Sequence, residues 1–132
     1  MIAPAAPYVL VVDDDQDIRD TIELALNLNG YEVASVESGA EALAWLRGGH
    51  PRPLLILLDL MMPHMSGFEF RAEQQRDPAL AGIPTVVLTG AGALPEAQAD
   101  VLAVELLRKP ISLDALLSTV ARHIAGAPPL PS

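Results

Sequence analysis

At 132 residues and 51% hydrophobic, the chain suits one globular domain with a sizeable core and leaves no space for a second. A formal charge of -9, with only eight scattered Lys and Arg residues, excludes the basic surface that direct nucleic-acid binding needs, so the expected partners are proteins. The absence of cysteine excludes disulfides and thiolate metal sites.

No apolar run approaches the roughly 20 residues of a membrane-spanning helix, and "MIAPAAPY" lacks the basic and apolar regions of a secretory signal. A cytoplasmic location without membrane contact is therefore expected.

In chain order, "YVLVV" (Tyr8 to Val12) is a short β-rich run. Ile18, Ile22, Leu24, Ala25, Leu26 and Leu28 follow at helical spacing, with Gly30 as the stop. "YEVASV" (Tyr31 to Val36) is a second strand, and Ser38 with Glu41 forms a capping box for a helix through Leu46, ended by Gly48 and Gly49. "LLILL" (Leu54 to Leu58) is apolar at every position, as a strand buried on both faces is. Ser66 and Glu69 cap a third helix running to about Arg76, before Asp77 and Pro78. "IPTVVLT" (Ile83 to Thr89) is a fourth strand, a helix is predicted from about Pro95, "AVELL" (Ala103 to Leu107) is a fifth strand, and Ser112 caps a last helix reaching about Ile124. Residues 1–7 read as a tail, 8–125 as the domain and 126–132 as a disordered tail or linker.

Five strands alternating with five helices predict a doubly wound α/β fold with a parallel sheet. In such sheets the site lies at the carboxyl ends of the strands. Strand 1 ends at Asp13 and Asp14, strand 3 at Asp59 and strand 4 at Thr89, while strand 5 runs into Lys109. Three carboxylates without His or Cys are a hard-oxygen set suited to magnesium or manganese. A lysine at the rim supplies a charge for phosphate, a threonine hydroxyl a hydrogen bond, and Asp59 near a metal is a nucleophile towards phosphorus.

The stretches "VLVVDDDQDIR", "LLDLMMPHMSGFE", "VVLTG" and "RKP", in that order, resemble the receiver domain of two-component response regulators, of the chemotaxis-receiver type, over roughly Tyr8 to Ile124. The resemblance implies a flavodoxin-like five-stranded sheet of order 2-1-3-4-5. It also implies that Asp13, Asp14, Asp59 and the backbone carbonyl of Met61 hold Mg2+, for which Mn2+ can substitute, and that Asp59 accepts a phosphoryl group from a sensor histidine kinase or phosphotransfer protein. Thr89 and Lys109 would engage that group, Lys109-Pro110 would be cis, and Met61 and Ala91 would sit where relatives tune the phosphoryl lifetime. Such a domain is not an ordinary enzyme, yet self-catalysed aspartyl phosphorylation and dephosphorylation are expected. The signal would pass to a downstream target through the face of the fourth helix, fifth strand and fifth helix. No output domain is expected; a stand-alone regulator, a relay intermediate and a receiver from a longer protein all fit.

Two departures stand out. Leu106 occupies the position where most receivers carry an aromatic residue, and the segment from Thr89 to Lys109 is short, with Leu102 where relatives place a glycine. That segment is apolar enough to suggest a homodimer. Asp15 and Asp17 read as helix-terminal acids, since Ile18 and Leu24 stand where a calcium loop needs Gly and Glu. His50, His64 and His123 read as surface residues, Trp45 as packing, and Met61, Met62 and Met65 as loop packing around the site. A haloacid-dehalogenase-type phosphatase fails because Asp17 stands where that family has Thr or Val. A receiver-like module that binds without phosphorylation is the alternative.

Overall fold

The computed structural model describes residues 7–90 and 105–125. In chain order the elements are β1 (Tyr8–Val12), α1 (Gln16–Leu28), β2 (Glu32–Val36), α2 (Gly39–Arg47), β3 (Leu55–Asp59), α3 (Gly67–Arg76), β4 (Thr85–Thr89), β5 (Glu105–Arg108) and α4 (Leu113–Ala125). The helix predicted near Pro95 and the tails at 1–6 and 126–132 lie outside the described residues, as does most of the segment suggested for dimerisation.

All four strand pairings are parallel and the order is β2-β1-β3-β4-β5, the flavodoxin-like arrangement. Side chains alternate across each strand, so one row packs on each helix layer. Leu10, Val12, Ile56, Leu58 and Val87 face Ala42, Trp45 and Phe70 of α2 and α3. Val9, Val11, Leu55, Leu57, Val86 and Leu88 face Ile22 and Leu26 of α1 and Leu116 and Val120 of α4. The unbroken apolar run in β3 follows from this: both of its faces are covered.

The helix starts obey the sequence signals, with one difference. Ser66 and Glu69 form a complete reciprocal box at α3. At α2, Ser38 accepts from the Glu41 N–H, but the Glu41 carboxylate accepts from the N–H of Glu37 instead of Ser38. The box is therefore half formed, because the carboxylate reaches one residue further back along the chain. Strand limits shift as well. β4 begins at Thr85 instead of Ile83, since Pro84 has no N–H for the ladder and the Ile83 carbonyl is taken by the side chains of Gln74 and Thr85. Gln74, fully buried, also donates to Leu80 and accepts from Arg71, so one amide fixes the turn from α3 to β4.

Trp45 is packing, as expected, and it is specific packing: its Nε1 donates to the Tyr8 hydroxyl, which donates in turn to the Pro51 carbonyl. His50 stacks on the Trp45 ring at 3.7 Å between centroids, so it is a packed residue more than a free surface one. His64, exposed, sits at φ 69 beneath a Met65 N–H to Pro63 carbonyl bond of 2.8 Å, a tight turn just after β3.

Gly67 starts α3 so close to the end of β3 that a Cβ there would lie 2.7 Å from the Asp59 carbonyl and 2.7 Å from the Leu60 Cα. Both obstacles are backbone and cannot rotate away. We expect Gly67→Ala to lower unfolding stability by about 1–3 kcal/mol, the usual range for an overpacked position, measured as a fall in the urea midpoint at constant slope. An unchanged midpoint would mean that α3 slides freely against the strand.

Candidate functional site

Parallel pairing places the ends of the strands together. Val12 pairs with Leu58, Asp59 with Leu88 and Thr89 with Arg108, so Asp13, Asp59, Thr89 and Lys109 share the carboxyl edge of the sheet. Alternation then sorts them: Asp13 continues the row of Val9 and Val11, Asp59 that of Leu55 and Leu57, and Lys109 that of Leu107, all on the layer of α1 and α4. Lys109 follows β5 through a Lys109 N–H to Thr89 carbonyl bond of 2.6 Å, and the Lys109-Pro110 peptide is cis.

The three carboxylates of Asp13, Asp14 and Asp59 each offer an oxygen, and the three oxygens lie within 4.8 Å of one another. Asp13 is fully buried and Asp59 is 4% exposed, whereas Asp14 is open to solvent. Lys109 Nζ lies 3.0 Å from Asp13 Oδ2 and 3.3 Å from Asp59 Oδ1, and so bridges the two buried acids. Asp13 Oδ1 also accepts from the Asp15 N–H at 2.9 Å, and Asp59 Oδ1 accepts from the Met61 N–H at 3.3 Å. Asp15 caps α1 by accepting from the N–H groups of Asp17 and Ile18, as a helix-terminal acid does.

One ammonium against three acids leaves the site net negative. Burial pushes the Asp59 carboxyl up to about 6, the charge of Asp13 adds to the rise, and Lys109 and the Met61 N–H only partly counter it. For Lys109, burial acts downwards, but the Asp13 hydrogen bond and the charges of Asp13 and Asp59 outweigh it and the ammonium is held above its ordinary value. The site is thus built to take up positive charge. An all-oxygen donor set of this size fits a small hard cation such as Mg2+.

Thr89 stands at the same edge, buried, with a hydroxyl that has no hydrogen-bond partner among the described residues. Met61 touches the site through its main chain, yet the residue is 78% exposed, which corrects the expectation of loop packing; Met62, 7% exposed, does pack in the core. The reason is direction: Asp59 fixes the Met61 amide, and the chain turns outward towards Pro63. Sequence reasoning passed over Arg19, whose Nη1 donates to the Asp13 carbonyl at 2.7 Å. Beside Lys109, an apolar groove of about 380 Å3 opens between α1 and α4, lined by Ile18, Ile22, Ala25, Pro110, Ile111 and Leu116 among others.

The sheet order and the convergence of acids with a lysine on its carboxyl edge define a flavodoxin-like α/β domain with an acidic, cation-ready site. A sequence model described as the response regulator receiver domain matches residues 9–121, and the chain belongs to that family. It is 35% identical over 121 residues to the C4-dicarboxylate transport transcriptional regulatory protein DctD of Rhizobium meliloti, covering 89% of this chain and 25% of that one. With the response regulator MprA of a Mycobacterium species the identity is 37% over 112 residues, covering 83% of this chain and 47% of the relative. The chain therefore spans a quarter to about half the length of these relatives. Among solved structures, the chemotaxis protein CheY4 of Vibrio cholerae superposes with a TM-score of 0.78 at 33% identity, covering 89% of this chain and 98% of that one. No helix among the described residues is long and apolar enough to cross a membrane.

The raised Asp59 value has a signed consequence. An acid that titrates near 3.8 when unfolded and about 6 when folded binds more protons in the folded state between those values. Its contribution to stability is therefore complete below about pH 4 and is lost as the pH rises through about 6. In chelator-containing buffer, we expect the Tm of the wild type minus that of Asp59→Asn to fall across this window, by the equivalent of at most about 3 kcal/mol. A difference that stays flat with pH would show that Asp59 ionises normally.

Proposed function

We propose that this domain is the phosphoacceptor of a two-component system, taking a phosphoryl group onto Asp59 from a phosphohistidine of a sensor histidine kinase or phosphotransfer protein. The observation that carries the reading is the bridge from Lys109 to two buried carboxylates beside an exposed third. Asp13, Asp14, Asp59 and the Met61 carbonyl would hold Mg2+, which when bound neutralises charge on the transferring phosphoryl oxygens.

The chain's own groups supply the rest. A value of about 6 leaves Asp59 mainly ionised at neutral pH and so able to attack phosphorus. The oxygen–phosphorus bond forms as the donor's nitrogen–phosphorus bond breaks, and the electron pair leaves on the imidazole nitrogen. Lys109, already 3.3 Å from Asp59, offsets the repulsion between carboxylate and phosphoryl oxygens and is held in place before the reaction, so little reorganisation is needed. The donor's helix would lie along the apolar groove between α1 and α4, which opens beside Lys109. Hydrolysis by water returns the carboxylate.

Switching follows from Thr89. Its buried, unpartnered hydroxyl gains a hydrogen bond if it swings to a phosphoryl oxygen, and β4 leads directly into the segment before β5. The proposed output face includes β5 and α4, where Arg122 holds Glu105 with bonds of 2.6 and 3.1 Å. Leu106, half-buried against the core, takes the place of the usual aromatic, so this face would switch by repacking without an aromatic rotamer. The downstream target is a protein, in keeping with the net charge of -9.

Intact-protein mass spectrometry after incubation with acetyl phosphate is the test. One phosphoryl adduct is expected with Mg2+, none with chelator, and none on Asp59→Asn. Lys109→Met should fold and slow adduct formation by roughly a hundredfold, the scale of losing one preorganised charge at the reacting group. No adduct on folded wild type, and no beryllofluoride binding, would favour the module that acts without phosphorylation.

A further inference from the structure

Arg19 lies in the fourth position of α1, half-buried, in a polar cleft shared with Asp20, Glu37 and Glu41. An arginine on a helix with an acid at i+4, here Glu23, has a partner of the opposite charge on its own face. Arg19 makes no ion pair within 4.0 Å among the described residues. Glu23 accepts instead from Ser35 and Glu41 from the Glu37 N–H, while the Arg19 guanidinium turns inward and donates to the Asp13 main-chain carbonyl at 2.7 Å. That is a short, charge-assisted bond, made to a carbonyl although three acids line the same cleft.

The bond acts on a particular peptide. Every other polar group of Asp13 is engaged from elsewhere: its N–H donates to Val36, Oδ1 accepts from the Asp15 N–H and Oδ2 from Lys109. The carbonyl alone is held by α1, and it shares a rigid plane with the N–H of Asp14. Asp14 is exposed, and its carboxylate has no hydrogen bond or ion pair of its own among the described residues. Its place beside Asp13 and Asp59 therefore depends on its backbone, which turns with the Asp13-Asp14 peptide plane.

We infer that Arg19 is a positioning residue that sets the Asp14 carboxylate for the divalent cation by pinning the Asp13-Asp14 peptide. The inference rests on the functional reading above. Two effects of removing Arg19 have opposite signs, which makes it testable. Loss of a nearby positive charge strengthens cation binding by simple electrostatics. Loss of the positioning bond weakens it, and outer contacts of this kind typically matter by 10–100-fold.

The experiment is a Mn2+ titration of the full chain followed by electron paramagnetic resonance, with Mg2+ competition, on wild type, Arg19→Met, Arg19→Lys and Asp14→Asn. Melting temperatures are recorded alongside. Positioning predicts a Kd for Arg19→Met raised about tenfold, at the lower end of the range for such contacts. Arg19→Lys, which keeps a donor and the charge, should fall between wild type and Arg19→Met. In the Asp14→Asn background Arg19→Met should add little, because the group being positioned is already gone. An Arg19→Met Kd equal to or below the wild-type value, in folded protein, overturns the inference and leaves the functional reading standing. So does a raised Kd that persists undiminished in the Asp14→Asn background. If Arg19→Met does not fold, Arg19→Lys decides alone: an unchanged Kd with a melting temperature near wild type overturns the inference. A wild type that binds no Mn2+ overturns both it and the functional reading.

Discussion

The contact on which the site depends is the single ammonium of Lys109 held between two buried carboxylates, 3.0 Å from Asp13 and 3.3 Å from Asp59. Burying one carboxylate without a partner is costly, and burying two side by side is more so. Lys109 makes the pair tolerable without making it neutral. The remaining negative charge is the property the proposed chemistry uses, because it draws in a cation and, through that cation and Lys109, an anionic phosphoryl group.

Much of the surrounding architecture serves to keep those charges where they are. Asp13 and Asp59 can be buried because the sheet is covered on both faces by apolar rows, and they can be adjacent because β1 and β3 are neighbours in register. The short loops are fixed by polar side chains with assigned partners: Asp15 on the first turn of α1, Ser66 and Glu69 at α3, and Gln74 in the turn before β4. Gly67 allows α3 to start against the Asp59 carbonyl with no room for a side chain. Asp59 is thus held by close-packed backbone on one side and by charge on the other. The proposed function and stability pull against each other at this edge, since the ionised Asp59 that the proposed transfer needs is also the form that burial disfavours.

The opposite end of the sheet is built differently. There Tyr8, Trp45, His50 and Pro51 interlock through two hydrogen bonds and a ring stack, tying the start of β1 to the end of α2. Among the described residues this end has no cluster of acids and no bridging lysine, and its interlocked rings anchor the start of β1. One hydrogen-bonded aromatic set at one end and one charged set at the other frame the same interior strand, β1.

The sequence by itself determined the nine described elements to within a few residues, the order of polar residues at the strand ends and the family, because alternation, capping residues and strand-end acids are local signals carried by a few adjacent side chains. The apolar run of β3 already implied burial on both faces, and Asp13, Asp14, Asp59, Thr89 and Lys109 could be placed on one edge by the rule for parallel sheets. What only the tertiary structure decided was which atoms meet. That Lys109 reaches both Asp13 and Asp59, that Glu41 caps back to Glu37 instead of Ser38, that Met61 points outward, and that Arg19 leaves its neighbouring acids for a carbonyl all depend on distances between residues far apart in the chain or on rotamers chosen by packing. A local pattern names the residues of such a site, but the register of four parallel pairings sets the distances at which they act.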